Sequence, residues 1–317
     1  MNFRILGTGS YVPKRVLANE ELEKMVETSD EWISKRVGIK ERRICTEENT
    51  SFMGIEAAKA ALENSKTAPE DLDVIICATI SGEDVCPTVA AKIQQAIGAH
   101  CPAFDINSAC SGFLFALETA YGFFAGGKVE NALVVASERL SKLIDYTDRN
   151  TCVIFGDGAG AAVLGQGDNY IDSVIKTIGG DDVIKIPSHP GNSPFYTVEE
   201  KPPYIYMNGQ ETFKFAVENM CSGVSGILER NNLTGDDIKY IVPHQANARI
   251  IQFAAKRLNM GLDKFFMNID KYGNTGGASV PISLDEMNRS GLLCRGDKII
   301  MTAFGGGLSS GVCLVEW

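Results

Sequence analysis

The chain carries one pattern twice. "ALENSKTAPEDLDVIIC" (61–77) lies over "ILERNNLTGDDIKYIVP" (227–243) without a gap, an offset of 166 residues (61 to 227) that pairs Leu62 with Leu228, Glu63 with Glu229, Asp71 with Asp237 and Ile75 with Ile241. In each copy the end of an amphipathic helix passes through a polar turn into a short β-branched strand. The same offset lays "NALVVAS" (131–137) on "DKIIMTA" (297–303), a second buried strand. Two matches at one offset imply an internal duplication, with halves at 1–168 and 169–317. Strands that alternate with helices imply α/β units with mostly parallel strands. If the halves pack together, equivalent strand ends meet, and position 110 maps onto Gly276, two residues from Asn274. Chemistry is expected where those loops converge.

A chain of 317 residues with 44% hydrophobic content can bury a large core, and its 32 glycines point to tight turns and close backbone approaches. The net charge of -10 argues against nucleic acid as a partner, because phosphate binding needs a basic surface. Nine cysteines at 45, 77, 86, 101, 110, 152, 221, 294 and 313 form no CxxC pair. Their odd number and scatter fit neither a disulfide framework nor a zinc site. The opening "MNFRILGTGSYVPK" has no apolar signal core, and no run of residues is long and apolar enough for a membrane span. A cytoplasmic protein is expected. Five of the eleven prolines fall in 181–206, which predicts an irregular loop or lid, with His189 as a solvated loop residue.

Three residues carry the chemistry. "CPAFDIN" reads as a strand and "SGFLFALETAYGFFAG" as a helix, so Cys110 stands at a helix N-terminus, where unpaired N–H groups favour thiolate. A packed interior sulfur is the alternative, and the other eight cysteines default to it. In "YIVPHQANARI" a buried strand delivers His244 to its end, where ligands bind in α/β sheets. His100 is read as structural. In "YGNTGGAS" glycines surround Asn274, whose amide can donate to a carbonyl oxygen, although alone it would pass for a turn. "TAFGGGLSSG" (302–311) offers bare N–H groups to an oxyanion. Cys, His and Asn also occur in that order in papain-like hydrolases, but "SACSG" lacks their cysteine context and such a fold leaves the duplication unexplained.

Taken together, "TSDEWISKRVGIKERR", "ACSGF", "TDRNTCVIFGDGAGAAVL", "HQANARI", "YGNTGGAS" and "FGGGLSSG" resemble β-ketoacyl-acyl-carrier-protein synthase III, an initiating condensing enzyme of the thiolase superfamily, over essentially the whole chain. The resemblance implies a five-layered α-β-α-β-α thiolase-like fold and a homodimer. It implies that Cys110 takes an acyl group from acyl-CoA, that the Gly306 N–H holds the oxyanion, and that His244 and Asn274 stabilise the enolate left when malonyl-acyl carrier protein loses CO2. No cofactor is implied beyond the CoA thioester as substrate. By the same resemblance Trp32 and Arg149 flank the CoA adenine, Arg36 lies near its phosphate, and Thr28, Gly209, Phe213, Ala246 and Asn247 line its tunnel. Without it, Trp32 would be read as core. Cys86 and Phe304 are implied at the acyl pocket, and Lys214, Arg249, Lys256 and Arg257 at the carrier-protein docking surface. The chain departs from the family at Gly276-Gly277, where Ser-Ala is usual, and at Ser309 and Ser310, where threonine and tryptophan are common. A related synthase acting on another acyl donor would use the same residues.

Overall fold

The computed structural model describes residues 2–188, 194–195 and 201–317. His189 lies outside these residues. The first half runs β1 (Asn2–Tyr11), β2 (Val16–Ala18), α1 (Asn19–Leu22), α2 (Asp30–Val37), β3 (Glu41–Arg43), α3 (Thr50–Ser65), β4 (Val74–Ala78), α4 (Val89–Ile97), β5 (Ala103–Ile106), α5 (Gly112–Ala125), β6 (Asn131–Arg139) and β7 (Asp157–Gly167). The second runs β8 (Tyr170–Gly180), β9 (Ile184–Lys185), β10 (Tyr206–Met207), α6 (Gly209–Arg230), β11 (Tyr240–Pro243), α7 (Ala248–Arg257), α8 (Ile269–Tyr272), α9 (Ser279–Arg289), β12 (Lys298–Gly305) and β13 (Gly307–Glu316). The described ends of the proline-rich segment meet as an antiparallel ribbon, with Tyr206 opposite Lys185 and Met207 opposite Ile184.

The repeat is visible in the elements. At the 166-residue offset α3 corresponds to α6, β4 to β11 and β6 to β12, and the 3-10 turn Pro69–Asp71 to the turn Gly235–Asp237. A second pair of 3-10 turns, Ala109–Ser111 and Gly276–Ala278, introduces α5 and α9. The copies differ at β5, whose counterpart is the short helix α8.

The sheets are mixed rather than mostly parallel. Their orders are β1-β7-β6-β4-β5 and β11-β12-β13-β8. Parallel pairing is confined to β4 with β5 and β6 and to β11 with β12, while the pairings of β7 and β13 are antiparallel. The cause is local at the glycine turn 305–307, which reverses the chain from β12 straight into β13 with no crossover helix.

Strand alternation builds the layers. In β4, Val74, Ile76 and Ala78 face a central core shared with α5, α9 and the inner face of β12, whereas Ile75 and Cys77 face a second core under α3 and α4. In β12, Ile299, Met301 and Ala303 join the central core, and Ile300 and Phe304 pack under α6 and α7. Two sheets, their central strands buried on both faces and the edge strand β8 largely exposed, therefore make five layers with α5 and α9 in the middle. Helix and strand approach closely at Gly9 of β1, where a Cβ would lie 2.3 Å from the Ala61 nitrogen of α3. Among the described residues no helix is long and apolar enough to cross a membrane.

Candidate active site

Cys110 stands in the 3-10 turn between β5 and α5, at the seam of the two halves. The turn is held in an unusual shape. Ala109 has φ +46°, a left-handed conformation costly for a residue with a side chain. Against it lies Gly305, where a Cβ would sit 2.6 Å from the Cys110 nitrogen. From β13 the Ser309 hydroxyl reaches the Ser111 hydroxyl at 2.7 Å and donates to the Ser108 carbonyl at 3.2 Å. The second half thus clamps the turn that carries the thiol.

His244 follows β11 and is 1% exposed, its N–H donating to the Thr302 carbonyl at 2.7 Å. The ring meets Phe304 edge-on at 5.2 Å between centroids, and Nδ1 lies 2.6 Å from the Ser279 hydroxyl. A hydroxyl can donate or accept, so Ser279 supports either neutral tautomer, with Nε2 as acceptor or as donor. Asn274 is fixed at three points. Its N–H donates to the Ile154 carbonyl at 2.9 Å, its carbonyl accepts from the Gly156 N–H at 3.0 Å, and its Oδ1 accepts from the Gly276 N–H at 2.8 Å. With Oδ1 engaged, the Nδ2 donors are left for a ligand. Gly276 has φ +58°, and a Cβ there would meet Leu140 and Glu138 at 3.2 and 3.3 Å, so a side chain at this turn would be strained.

Cys110, His244, Asn274, Phe304 and Gly306 line one cleft of about 1670 Å³. Its electrostatics differ from the sequence expectation in one respect: the Cys110 thiol is pushed up to about 12, not down. Burial is the main cause and the nearby Glu138 carboxyl adds to it, so desolvation outweighs the helix N-terminus. Burial also raises Glu138 to about 8, against hydrogen bonds from the Ser81 hydroxyl and the Ile80 N–H. Burial lowers His244 to about 3, which keeps its imidazole neutral at physiological pH. Alkylation of Cys110 in the free protein by iodoacetamide should therefore accelerate by about tenfold per pH unit from pH 7 to 10, since only thiolate reacts. Peptide mass spectrometry separates Cys110 from the exposed Cys86 and Cys294. A plateau starting below pH 9 would contradict so raised a thiol.

Toward the mouth, Trp32, Arg36, Gly209, Phe213, Ala246, Asn247 and Arg249 line the same cleft. Arg149 stacks on Trp32, its guanidinium carbon 4.7 Å from the ring centroid, and donates to the Glu27 carbonyl at 2.8 Å. The two groups paired by the sequence are thus adjacent, but in contact with each other. Asn247 has a second duty as N-cap of α7, accepting from the Arg249 N–H at 2.9 Å. Thr28 and Cys86 do not line the cleft; Cys86 is exposed, and the buried Thr28 hydroxyl has no hydrogen-bond partner. Lys214, Lys256 and Arg257 are exposed outside the mouth. Phe253, on the α7 face it shares with Arg249 and Lys256, has no role assigned from the sequence; it is 51% exposed and edge-on to Phe213 at 5.5 Å. Its signal was an aromatic residue on a charged helix face.

Two family models match the chain. One, 3-oxoacyl-[acyl-carrier-protein] synthase III, covers residues 104–181, and the other, the C-terminal model of the same enzyme, covers 228–317. β-Ketoacyl-[acyl-carrier-protein] synthase III of Clostridium acetobutylicum is 50% identical over 99% of this chain and 98% of its own. The chain belongs to the β-ketoacyl-acyl-carrier-protein synthase III family. Among solved structures, the synthase III of Aquifex aeolicus VF5 is 42% identical with a TM-score of 0.94, covering 99% of this chain and 100% of its own. The priming β-ketosynthase of the R1128 polyketide pathway is 34% identical with a TM-score of 0.93, covering 99% and 96%. The five layers are accordingly the thiolase-type fold of synthase III. In this member of the synthase III family, Cys110 from the first half and His244 and Asn274 from the second line one cleft.

Proposed function

We propose that the protein condenses an acyl-CoA primer with malonyl-acyl carrier protein, with loss of CO2, to start fatty-acid synthesis. Cys110 Sγ attacks the thioester carbonyl of the primer, the carbon–sulfur bond to CoA breaks, and the thiol proton leaves with CoA. The N–H groups of Cys110 and Gly306 hold the oxyanion. Malonyl-acyl carrier protein then places its thioester oxygen against His244 Nε2 and Asn274 Nδ2. The bond to the carboxylate breaks, CO2 departs, and the electron pair becomes an enolate held by two neutral donors. Its carbon attacks acyl-Cys110, and the sulfur leaves to be reprotonated. A CoA thioester enters as substrate, with no resident cofactor.

The observation that carries this reading is one cleft lined by a thiol, a neutral imidazole and a carboxamide whose oxygen is already bonded. A neutral donor suits a developing enolate. Trp32, Arg149, Arg36, Gly209, Phe213, Ala246 and Asn247 would serve CoA, and Lys214, Arg249, Lys256 and Arg257 an acidic carrier protein. The cytoplasm is the proposed compartment. In a homodimer the exposed Cys86 would approach the partner's acyl pocket, and its small side chain would admit a branched or longer primer. The likeness to a priming β-ketosynthase of a polyketide pathway favours, as a second reading, a specialised product made with the same residues.

Intact-mass measurement after incubation with a mixture of acetyl-, isobutyryl- and longer acyl-CoA tests these points together. One acyl adduct on Cys110 is expected, discharged when malonyl-acyl carrier protein is added. An adduct that persists would overturn the condensing reading. Acetyl transfer far faster than isobutyryl would overturn the primer assignment alone.

A further inference from the structure

Arg42 belongs to a run of charges, "KERR", that reads as solvated surface. It is instead 0% exposed, the largest of the fully buried side chains. Among the described residues no carboxylate shares its burial as a hydrogen-bond partner. Nη1 donates to the Leu17 carbonyl at 3.0 Å and to Asn19 Oδ1 at 2.8 Å, Nη2 donates to the Val153 carbonyl at 2.7 Å, and Nε has no partner. A guanidinium held in this way is expensive to bury. What it touches suggests why it is there.

We infer that Arg42 is a positioning residue: it sets the Asn274 carboxamide through residues 153–156 and joins it to the mouth helix α2. The path is short. Val153, held by Nη2, precedes Ile154, whose carbonyl accepts from the Asn274 N–H, and Gly156 donates to the Asn274 carbonyl. The arginine stem fills the space beside both glycines of this bridge, since a Cβ at Gly156 or Gly273 would come within 3.0 or 3.3 Å of Arg42 Cβ. On the other side Asn19, itself 0% exposed, turns its amide to Asp30 Oδ1 and the Ile39 carbonyl, both at 2.8 Å. Asp30 opens α2, which carries Trp32 and Arg36. One buried cation therefore ties the element proposed to grip CoA to the amide proposed to steady the enolate.

The inference rests on the decarboxylating role proposed for Asn274, and the experiment separates the two. Acylation of Cys110 by acyl-CoA and decarboxylation of malonyl-acyl carrier protein are measured separately for Arg42→Lys, Asn274→Ala and the double variant. Lysine keeps the charge but cannot span the same acceptors. Arg42→Lys should slow decarboxylation at least tenfold while acylation at saturating acyl-CoA changes less than threefold, and it should add nothing in the Asn274→Ala background. Equal losses in both half-reactions, or a full loss in the double variant, would overturn the coupling. Normal decarboxylation by Asn274→Ala alone would instead remove the role on which it rests. Arg42→Gln, which takes away the buried charge, replaces the lysine variant if that one does not fold. Failure of both to fold would assign Arg42 to stability alone and overturn the inference.

Discussion

Cys110→Ser is expected to slow acyl transfer from acyl-CoA by on the order of 10⁴-fold or more, the scale on which loss of a covalent nucleophile acts. The reason lies in the surroundings. Burial already pushes the thiol to about 12 and keeps His244 near 3, so the imidazole is too weak a base to compensate for a far less acidic hydroxyl. A serine of similar size leaves the Ala109–Ser111 turn and its Gly305 and Ser309 contacts in place. Release of CoA and the mass of the intact protein follow the reaction directly. An acyl adduct on the serine variant at a rate within tenfold of the parent would sink the assignment of Cys110.

Asn274→Ala should divide the two half-reactions. Decarboxylation of malonyl-acyl carrier protein is expected to fall about 10²- to 10³-fold, roughly 2.7–4 kcal/mol, the magnitude found when one fixed donor to an oxyanion is removed. Acylation of Cys110 should stay within about threefold, because the backbone bonds from residue 274 to Ile154 and Gly156 do not need the side chain. The substitution does strip the Gly276 N–H of its Oδ1 partner, so some loss of stability accompanies it. Measuring CO2 release on protein acylated beforehand isolates the step. Equal losses in acylation and decarboxylation would show that Asn274 organises the whole cleft rather than one intermediate.

How much of this was legible depended on the kind of signal. Hydrophobic runs such as "DVIIC" and "KYIVP" announce β4 and β11, and the equal spacing of the polar turns before them exposes the repeat down to the paired 3-10 turns at 110 and 276. The failure of β5 to recur was less visible: "IDKY" (269–272) lacks the β-branched run of a strand and closes on Gly273, but that contrast appears only after the copies are aligned. Cys110 stands at the entrance to α5 as its flanking sequence implies, but its thiol is raised rather than lowered. Helix position is local information, whereas desolvation comes from β12, β13 and the 276 turn, far away in sequence. Arg42 was hidden for a similar reason. It is the inward residue of a three-residue strand flanked by half-exposed Glu41 and Arg43, too short for alternation to register.

The paired turns that introduce α5 and α9 stand at corresponding places in the two copies, and they differ at positions 110 and 276. Only the first turn keeps a side chain at the corresponding place, while the second shrinks to glycine and lends its N–H to orient Asn274. Equivalent places in the two copies thus hold different residues, and the roles proposed for nucleophile and donor fall to separate turns of a single chain.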